Sequence, residues 1–126
     1  MAQPTIAIIG ASADRAKFSN KAIRAYLKAG YTVYPVHPTA TTIEGLTVYP
    51  NVAALPVSQL DRASLYLPPA IGVTVLPDLA KLQIGELYLN PGADGPEVIA
   101  KAQELGLNAL QACSLIAAGF HDDPDA

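Results

Sequence analysis

Thr5-Ile6-Ala7-Ile8-Ile9 is a short, nearly continuous apolar run that ends at once in Gly10. A strand without polar alternation is buried on both faces, the pattern of a parallel sheet covered by helices on both sides. That requirement governs the reading of everything after it. Ser19 is placed to cap a helix running to Gly30, with Ile23, Tyr26 and Leu27 as its buried stripe and Gly30 as its C-terminal stop. Tyr31-Thr32-Val33-Tyr34-Pro35-Val36 is a second β-rich run, halted by His37-Pro38. These three elements predict a right-handed βαβ unit.

The alternation continues. Ala63–Leu67 reads as a strand stopped by Pro68-Pro69, followed by a helical stretch to Leu82 in which Pro77 predicts a kink or break. Glu86–Leu89 is a strand stopped by Asn90-Pro91-Gly92. Pro96 then suits the first turn of a helix carrying Val98, Ile99, Ala102 and Leu105, with Gly106 as its stop. Leu107–Gln111 closes the series. Residues 40–60 are irregular, with a short strand at 46–49 and a turn around Pro50-Asn51. The expected fold is α/β: a Rossmann-like, doubly wound, open parallel sheet of about five strands in the order 3-2-1-4-5, strand one central. At 126 residues it forms one domain, residues 1–121, followed by an acidic tail, 122–126.

Charge narrows the partners. Three of the eleven acids, Asp122, Asp123 and Asp125, lie in the last five residues, and His121 belongs with them. The remaining eight acids balance eight bases, so the body is neutral and lacks the broad basic face of a nucleic-acid binder. Five of the bases, Arg15, Lys17, Lys21, Arg24 and Lys28, cluster near the start. Lys21, Arg24 and Lys28 read as the solvated face of the first helix, whereas Arg15 and Lys17 precede it and suit a small anionic ligand. No apolar run reaches the length of a membrane span, and Met1-Ala2-Gln3-Pro4 has no basic, apolar leader, so a cytoplasmic protein is expected. One cysteine, Cys113, and two histidines leave no disulfide framework and no Cys- or His-rich metal cluster.

In such sheets ligands sit at the carboxyl ends of the strands. The loops there are Gly10–Lys17, His37-Pro38-Thr39, Pro68-Pro69, Asn90-Pro91-Gly92-Ala93 and Ala112-Cys113-Ser114. They are rich in glycine, proline and small polar residues and poor in acid–base groups. The first loop lacks the second glycine and the Lys-Ser/Thr of a P-loop. It keeps only the first glycine of the dinucleotide fingerprint, with Ser12 and Arg15 at the other two positions, and strand two ends in His37 rather than an acid. A diphosphate at the start of the first helix still makes physical sense, because free N–H groups and the helix dipole favour an anion there.

Taken in order, Gly10-Ala11-Ser12, Tyr34-Pro35-Val36-His37-Pro38, Tyr66-Leu67-Pro68-Pro69, Leu89-Asn90-Pro91-Gly92-Ala93 and Gln111-Ala112-Cys113-Ser114 resemble the small stand-alone CoA-binding domain proteins. Those are similar to the CoA-binding domain of the succinyl-CoA synthetase α subunit. The resemblance spans residues 5–120, and the ordered set carries it rather than any single motif. It implies a Rossmann-like fold and coenzyme A, or an acyl-CoA, as ligand. It places Gly10, Ala11, Ser12, Ala13, Asp14 and Arg15 in the first cradle, and Val36, His37 and Pro38 beside the adenosine end. Pro68 and Pro69 then line the crevice, with Leu89, Asn90 and Pro91 on the pantetheine side. The chain departs from the synthetase pattern in lacking further first-loop glycines and a lysine after strand two. Charge neutralisation therefore falls to Arg15 and Lys17, and ligase chemistry is not carried over.

No nucleophile–base set is legible. Cys113 is either a small buried residue or, close to a CoA thiol, a redox-active one. Three readings stay open: a CoA-binding module in a carrier, sensor or regulatory role; an NADP- or nucleotide-dependent enzyme or enzyme subunit; and an interaction protein on a degenerate Rossmann fold. A protein partner or a homo-oligomer is compatible with each. Gly10→Val is expected to block the ligand while the protein still folds, with a cost in stability if Gly10 has a positive φ, where a β-branched residue is strained.

Overall fold

The computed structural model describes residues 3–120 and Pro124. Its elements are β1 (Thr5–Ile9), α1 (Phe18–Lys28), β2 (Thr32–Val36), a hairpin of β3 (Thr42–Ile43) and β4 (Leu46–Thr47), a 3₁₀ turn at Val52–Ala54, β5 (Gln59–Leu65), α2 (Pro69–Leu79), β6 (Gln83–Leu89), α3 (Pro96–Glu104), β7 (Ala109–Gln111) and α4 (Ser114–Ala117). Five strands form one parallel sheet. Alternate residues of β1 serve opposite faces. Ile6 and Ile8 pack with Ala22, Ile23 and Tyr26 of α1, while Ala7 and Ile9 pack with the buried residues of α2 and α3. The doubly wound, Rossmann-like arrangement follows directly from that two-sided burial.

The strand order differs from expectation. It is β2-β1-β5-β6-β7, so the five sheet strands counted alone run 2-1-3-4-5, not 3-2-1-4-5, and β5 rather than β1 is central. The position beyond β2 is taken by Tyr49, whose N–H donates to Pro35 O (3.0 Å) and whose carbonyl accepts from His37 N–H (3.0 Å). Pro35 directs its carbonyl outward, so its missing N–H faces outward too. Proline suits an edge position of this kind, where no donor is required. With that edge occupied, the third strand pairs on the far side of β1.

Helix α1 corrects three local expectations. Lys17, not Ser19, is the N-cap, and no side chain caps the helix; Ser19 lies inside the first turn and is buried. Leu27 is exposed. Arg24 is buried rather than part of a solvated face: its Nε donates to Asn20 Oδ1 (2.8 Å) and its Nη2 to Arg15 O (2.8 Å). Gly30, at φ +88°, does terminate the helix. α2 runs through Pro77 and stops two residues later. Of the segment from 121 to 126 only Pro124 is described; its carbonyl accepts from Lys28 Nζ (2.5 Å), and His121 lies outside the described residues.

Strand β5 begins four residues earlier than its apolar run. Gln59, Asp61 and Arg62 are polar, yet the sheet accommodates them. The Arg62 guanidinium lies 5.4–5.9 Å from the ring centres of Tyr26, Tyr31 and Tyr88, and its Nε is 3.3 Å from Glu86 Oε1. Arg62 Nη1 also donates to Tyr26 OH (3.1 Å), which in turn donates to Ser114 O (2.8 Å). Burial pushes the Tyr26 phenol up to about 12, with Arg62 opposing the shift. A folded-state value above the unfolded 10 means that stability is fully present below pH 10 and is lost as pH rises towards 12. Two units correspond to an effect on the order of 3 kcal/mol. Denaturant midpoints are therefore expected to hold steady to pH 9 and fall above pH 10. Tyr26→Phe should show a shallower alkaline decline; equal slopes in the two proteins would refute this assignment.

Candidate functional site

The strand order reverses at β1, with β2 on one side and β5 on the other. A crevice of about 550 Å³ opens at the carboxyl ends of these strands, where the fold class places its ligands. Its floor comes from Gly10, Ala11 and Ser12; one wall comes from Lys17, Phe18 and Ser19 at the start of α1, and the rest from His37, Pro38, Tyr66 and Leu67.

The floor is close-packed. Gly10 has φ +90°, and its N–H and that of Ala11 both donate to Val36 O (3.2 and 3.1 Å). A short chain of turn bonds shapes the rest of the loop. Asp14 N–H donates to Ser12 Oγ (3.0 Å), Ala16 N–H to Asp14 Oδ1 (3.0 Å) and Lys17 N–H to Asp14 O (3.0 Å). From behind, Asn20 Nδ2 holds Ser12 O (2.9 Å) and Arg24 holds Arg15 O. These side chains tie loop carbonyls to the helix side. Among the described residues no side chain caps the first turn of α1, whose N–H groups begin beside Lys17. A helix start of this kind, next to a cation, is suited to a phosphate.

The structure sorts the residues named from the sequence. Gly10, Ala11, Ser12, Lys17, His37 and Pro38 meet in the crevice. Ala13, Asp14 and Arg15 belong to the same loop but stand outside the lining, and the Arg15 side chain is turned towards Glu44, Nε to Oε2 3.4 Å. Val36 contributes through its carbonyl. Pro68 is the N-cap of α2, and Pro69, its first residue, lies where a Cβ on Gly95 would come within 2.8 Å. Leu89 and Asn90 are buried, whereas Pro91 is exposed. Cys113 is half-buried at the start of α4, beside the crevice residue Tyr66.

His37 is occupied locally. Its Nδ1 accepts from Thr39 N–H (3.1 Å) and Ala40 N–H (2.9 Å), so the ring shapes the turn after β2 and carries its proton on Nε2. Asn90 anchors a buried network: Nδ2 donates to Ser64 Oγ (2.8 Å) and Leu65 O (2.9 Å), and Oδ1 accepts from Ser114 N–H (2.8 Å). Ser114 Oγ continues it to Ser64 Oγ (2.7 Å) and Tyr66 OH (2.8 Å). Burial raises the Tyr66 phenol, with bonds to Ser114 and Ser64 opposing.

Four lining residues escaped the sequence reading. Tyr66 and Leu67 were assigned to a strand that in fact ends at Leu65, which releases them into the loop. The sequence reading places Phe18 in the loop before the first helix and Ser19 at its cap, whereas both lie in the first turn of α1; their signal was position, since the first turn of the helix after β1 faces the carboxyl edge in this fold class. A larger depression, about 920 Å³, lies at the opposite, amino end of the sheet. Asp61 is its one charged residue and accepts from Thr5, so it offers no cation for a phosphate. Among the described residues there is no cluster of metal-ligating side chains and no helix long and apolar enough to cross a membrane.

Sheet, windings and crevice together define a Rossmann-like α/β domain with its cleft at the switch point. A family model described as CoA binding domain matches residues 4–119, and the chain belongs to that family. Solved structures agree with the fold. A conserved hypothetical protein from Pyrococcus furiosus is 28% identical with a TM-score of 0.80, covering 90% of this chain and 98% of its own. A protein from Thermus thermophilus is 25% identical at 0.80, covering 90% and 87%. An acetyl-coenzyme A synthetase from Candidatus Korarchaeum cryptofilum, solved with phosphate and ADP, is 28% identical at 0.71; the match covers 86% of this chain but 25% of the synthetase. No curated protein sequence matches.

Proposed function

We propose that this protein binds coenzyme A or an acyl-CoA in the crevice over Gly10-Ala11-Ser12, serving as a carrier, sensor or regulatory module. The observation that carries the reading is the uncapped start of α1, with Lys17 on the crevice wall, at the switch point of a CoA-binding-family sheet. The diphosphate is assigned to that helix start, and the adenosine end to His37-Pro38. The pantetheine arm is assigned to the side of Pro68, Pro69 and the Leu89–Pro91 segment, with Cys113 near its thiol. Binding rather than turnover is favoured because the titratable crevice groups are few and His37 Nδ1 is already bonded to backbone.

A melting-temperature panel with CoA, dephospho-CoA, NADPH and ATP tests this directly, because a ligand stabilises the form it binds. CoA is expected to raise Tm most. A shift with NADPH alone would favour a nicotinamide-dependent enzyme, and no shift with any of them an interaction protein. Lys17→Ala is expected to weaken CoA about tenfold, on the order of 1.4 kcal/mol, for a lost charge-assisted phosphate contact. Its Tm without ligand should stay at the wild-type value. Calorimetry showing unchanged affinity would remove Lys17 from the site.

A further inference from the structure

An acidic residue outside every motif of the chain is built against the cradle. Glu44 and Gly45, at φ +50° and +77°, form the two-residue turn of the β3–β4 hairpin. Glycine, asparagine and aspartate are the usual occupants of such turns, and glutamate is not. Its side chain is only 21% exposed, whereas that of Arg15 is 61% exposed. Glu44 Oε2 lies 3.4 Å from Arg15 Nε and accepts from Asn20 Nδ2 at 3.2 Å. Asn20 itself is fully buried and fixed by Arg24 Nε and Ser12 O. The carboxylate is therefore anchored to the same frame that shapes the first loop, and it neutralises one of the two cations that precede α1.

We infer that Glu44 is an internal counter-anion, which holds Arg15 until a ligand phosphate takes it over. This rests on the CoA reading of the crevice. Handing Arg15 from Glu44 to the ligand costs one ion pair for each pair gained. Wild-type affinity for phosphorylated ligands is thereby held below what the cradle itself supports. Glu44 also makes affinity depend on ligand charge, because an uncharged arm such as pantetheine does not compete for Arg15.

Glu44→Gln separates charge from shape, since the amide oxygen still accepts from Asn20. In calorimetric titrations Glu44→Gln is expected to bind CoA about three- to fivefold more tightly than wild type, the range of an exposed ion pair. Its affinity should also fall more steeply with salt. Pantetheine should show no gain, and Arg15→Ala/Glu44→Gln should bind no better than Arg15→Ala. Equal or weaker CoA binding by Glu44→Gln, with wild type binding normally, overturns the inference and leaves the CoA reading standing. So does a gain that persists without Arg15. If neither protein binds CoA, the CoA reading fails; inorganic pyrophosphate then decides the role of Glu44, with tighter binding by Glu44→Gln supporting it and equal or absent binding overturning it.

Discussion

Gly10→Ala is expected to destabilise the protein by about 3 kcal/mol or more, and Gly10→Val to prevent folding at ordinary temperature. A Cβ at this position would lie 2.7 Å from Tyr66 O and 2.9 Å from Tyr66 C, both backbone atoms, in a backbone conformation (φ +90°) that side chains rarely adopt. Tyr66 has no room to retreat, because its own N–H donates to Ile9 O at 2.8 Å. The glycine is squeezed between the ends of β1 and β5 before any ligand is considered. The positive φ on which the sequence made a stability cost conditional is present, and the structure adds a collision with the Tyr66 backbone, so Gly10→Val loses its fold and not only its ligand. Urea melts decide the matter. A midpoint for Gly10→Ala within experimental error of wild type would mean that the two strand ends separate easily. Where some folded Gly10→Ala persists, CoA should no longer raise its midpoint.

Asn90→Ala should cost about 2–4 kcal/mol, through loss of the three hydrogen bonds that join β5, β6 and the start of α4. The truncation strands Ser114 N–H in the interior, while Ser64 Oγ keeps Ser114 Oγ as a partner. Asn90→Asp should be worse still, because its carboxylate would face Leu65 O where an N–H₂ now donates. A loss below about 1 kcal/mol for Asn90→Ala would show that the network relaxes around the gap. The residue was named from the sequence as a ligand contact on the pantetheine side. Its amide is committed on all three sides to protein, so within the proposed site Asn90 acts by holding Leu89 and Pro91 in place. Asn90→Ala is accordingly expected to change CoA affinity less than Lys17→Ala when both are measured well below their melting temperatures.

The cations near the start of the chain show the same division between what is local and what is spatial. Arg15, Lys17 and Arg24 are equivalent by composition, and spacing put Arg24 on a wet face. In the fold Lys17 lines the crevice, Arg15 is turned to Glu44, and Arg24 is buried against Asn20 and the loop carbonyl of Arg15. Nothing in a helical repeat distinguishes them, because the loop that covers Arg24 is held there by tertiary bonds. Glu44 was invisible for the same reason, lying 29 positions along the chain from the arginine it meets.

What this sequence determined by itself is whatever depends on neighbours along the chain. Two-sided burial of Ile6–Ile9 demanded helices on both faces; Gly30 and Gly106 ended helices at positive φ, and Pro96 opened α3. Those features require only steric and hydrogen-bond rules acting over a few residues, and the ordered strand-end motifs pointed to the same fold. Strand order, strand limits and side-chain employment needed the tertiary structure. Tyr49 had to reach the edge of β2 before that edge was closed to another strand, although Pro35 already marked it. Tyr26, Tyr31 and Tyr88 had to surround Arg62 before a polar stretch could lengthen β5. Each of these outcomes is a competition between distant groups for one place, and distance along a chain carries no information about which of them arrives.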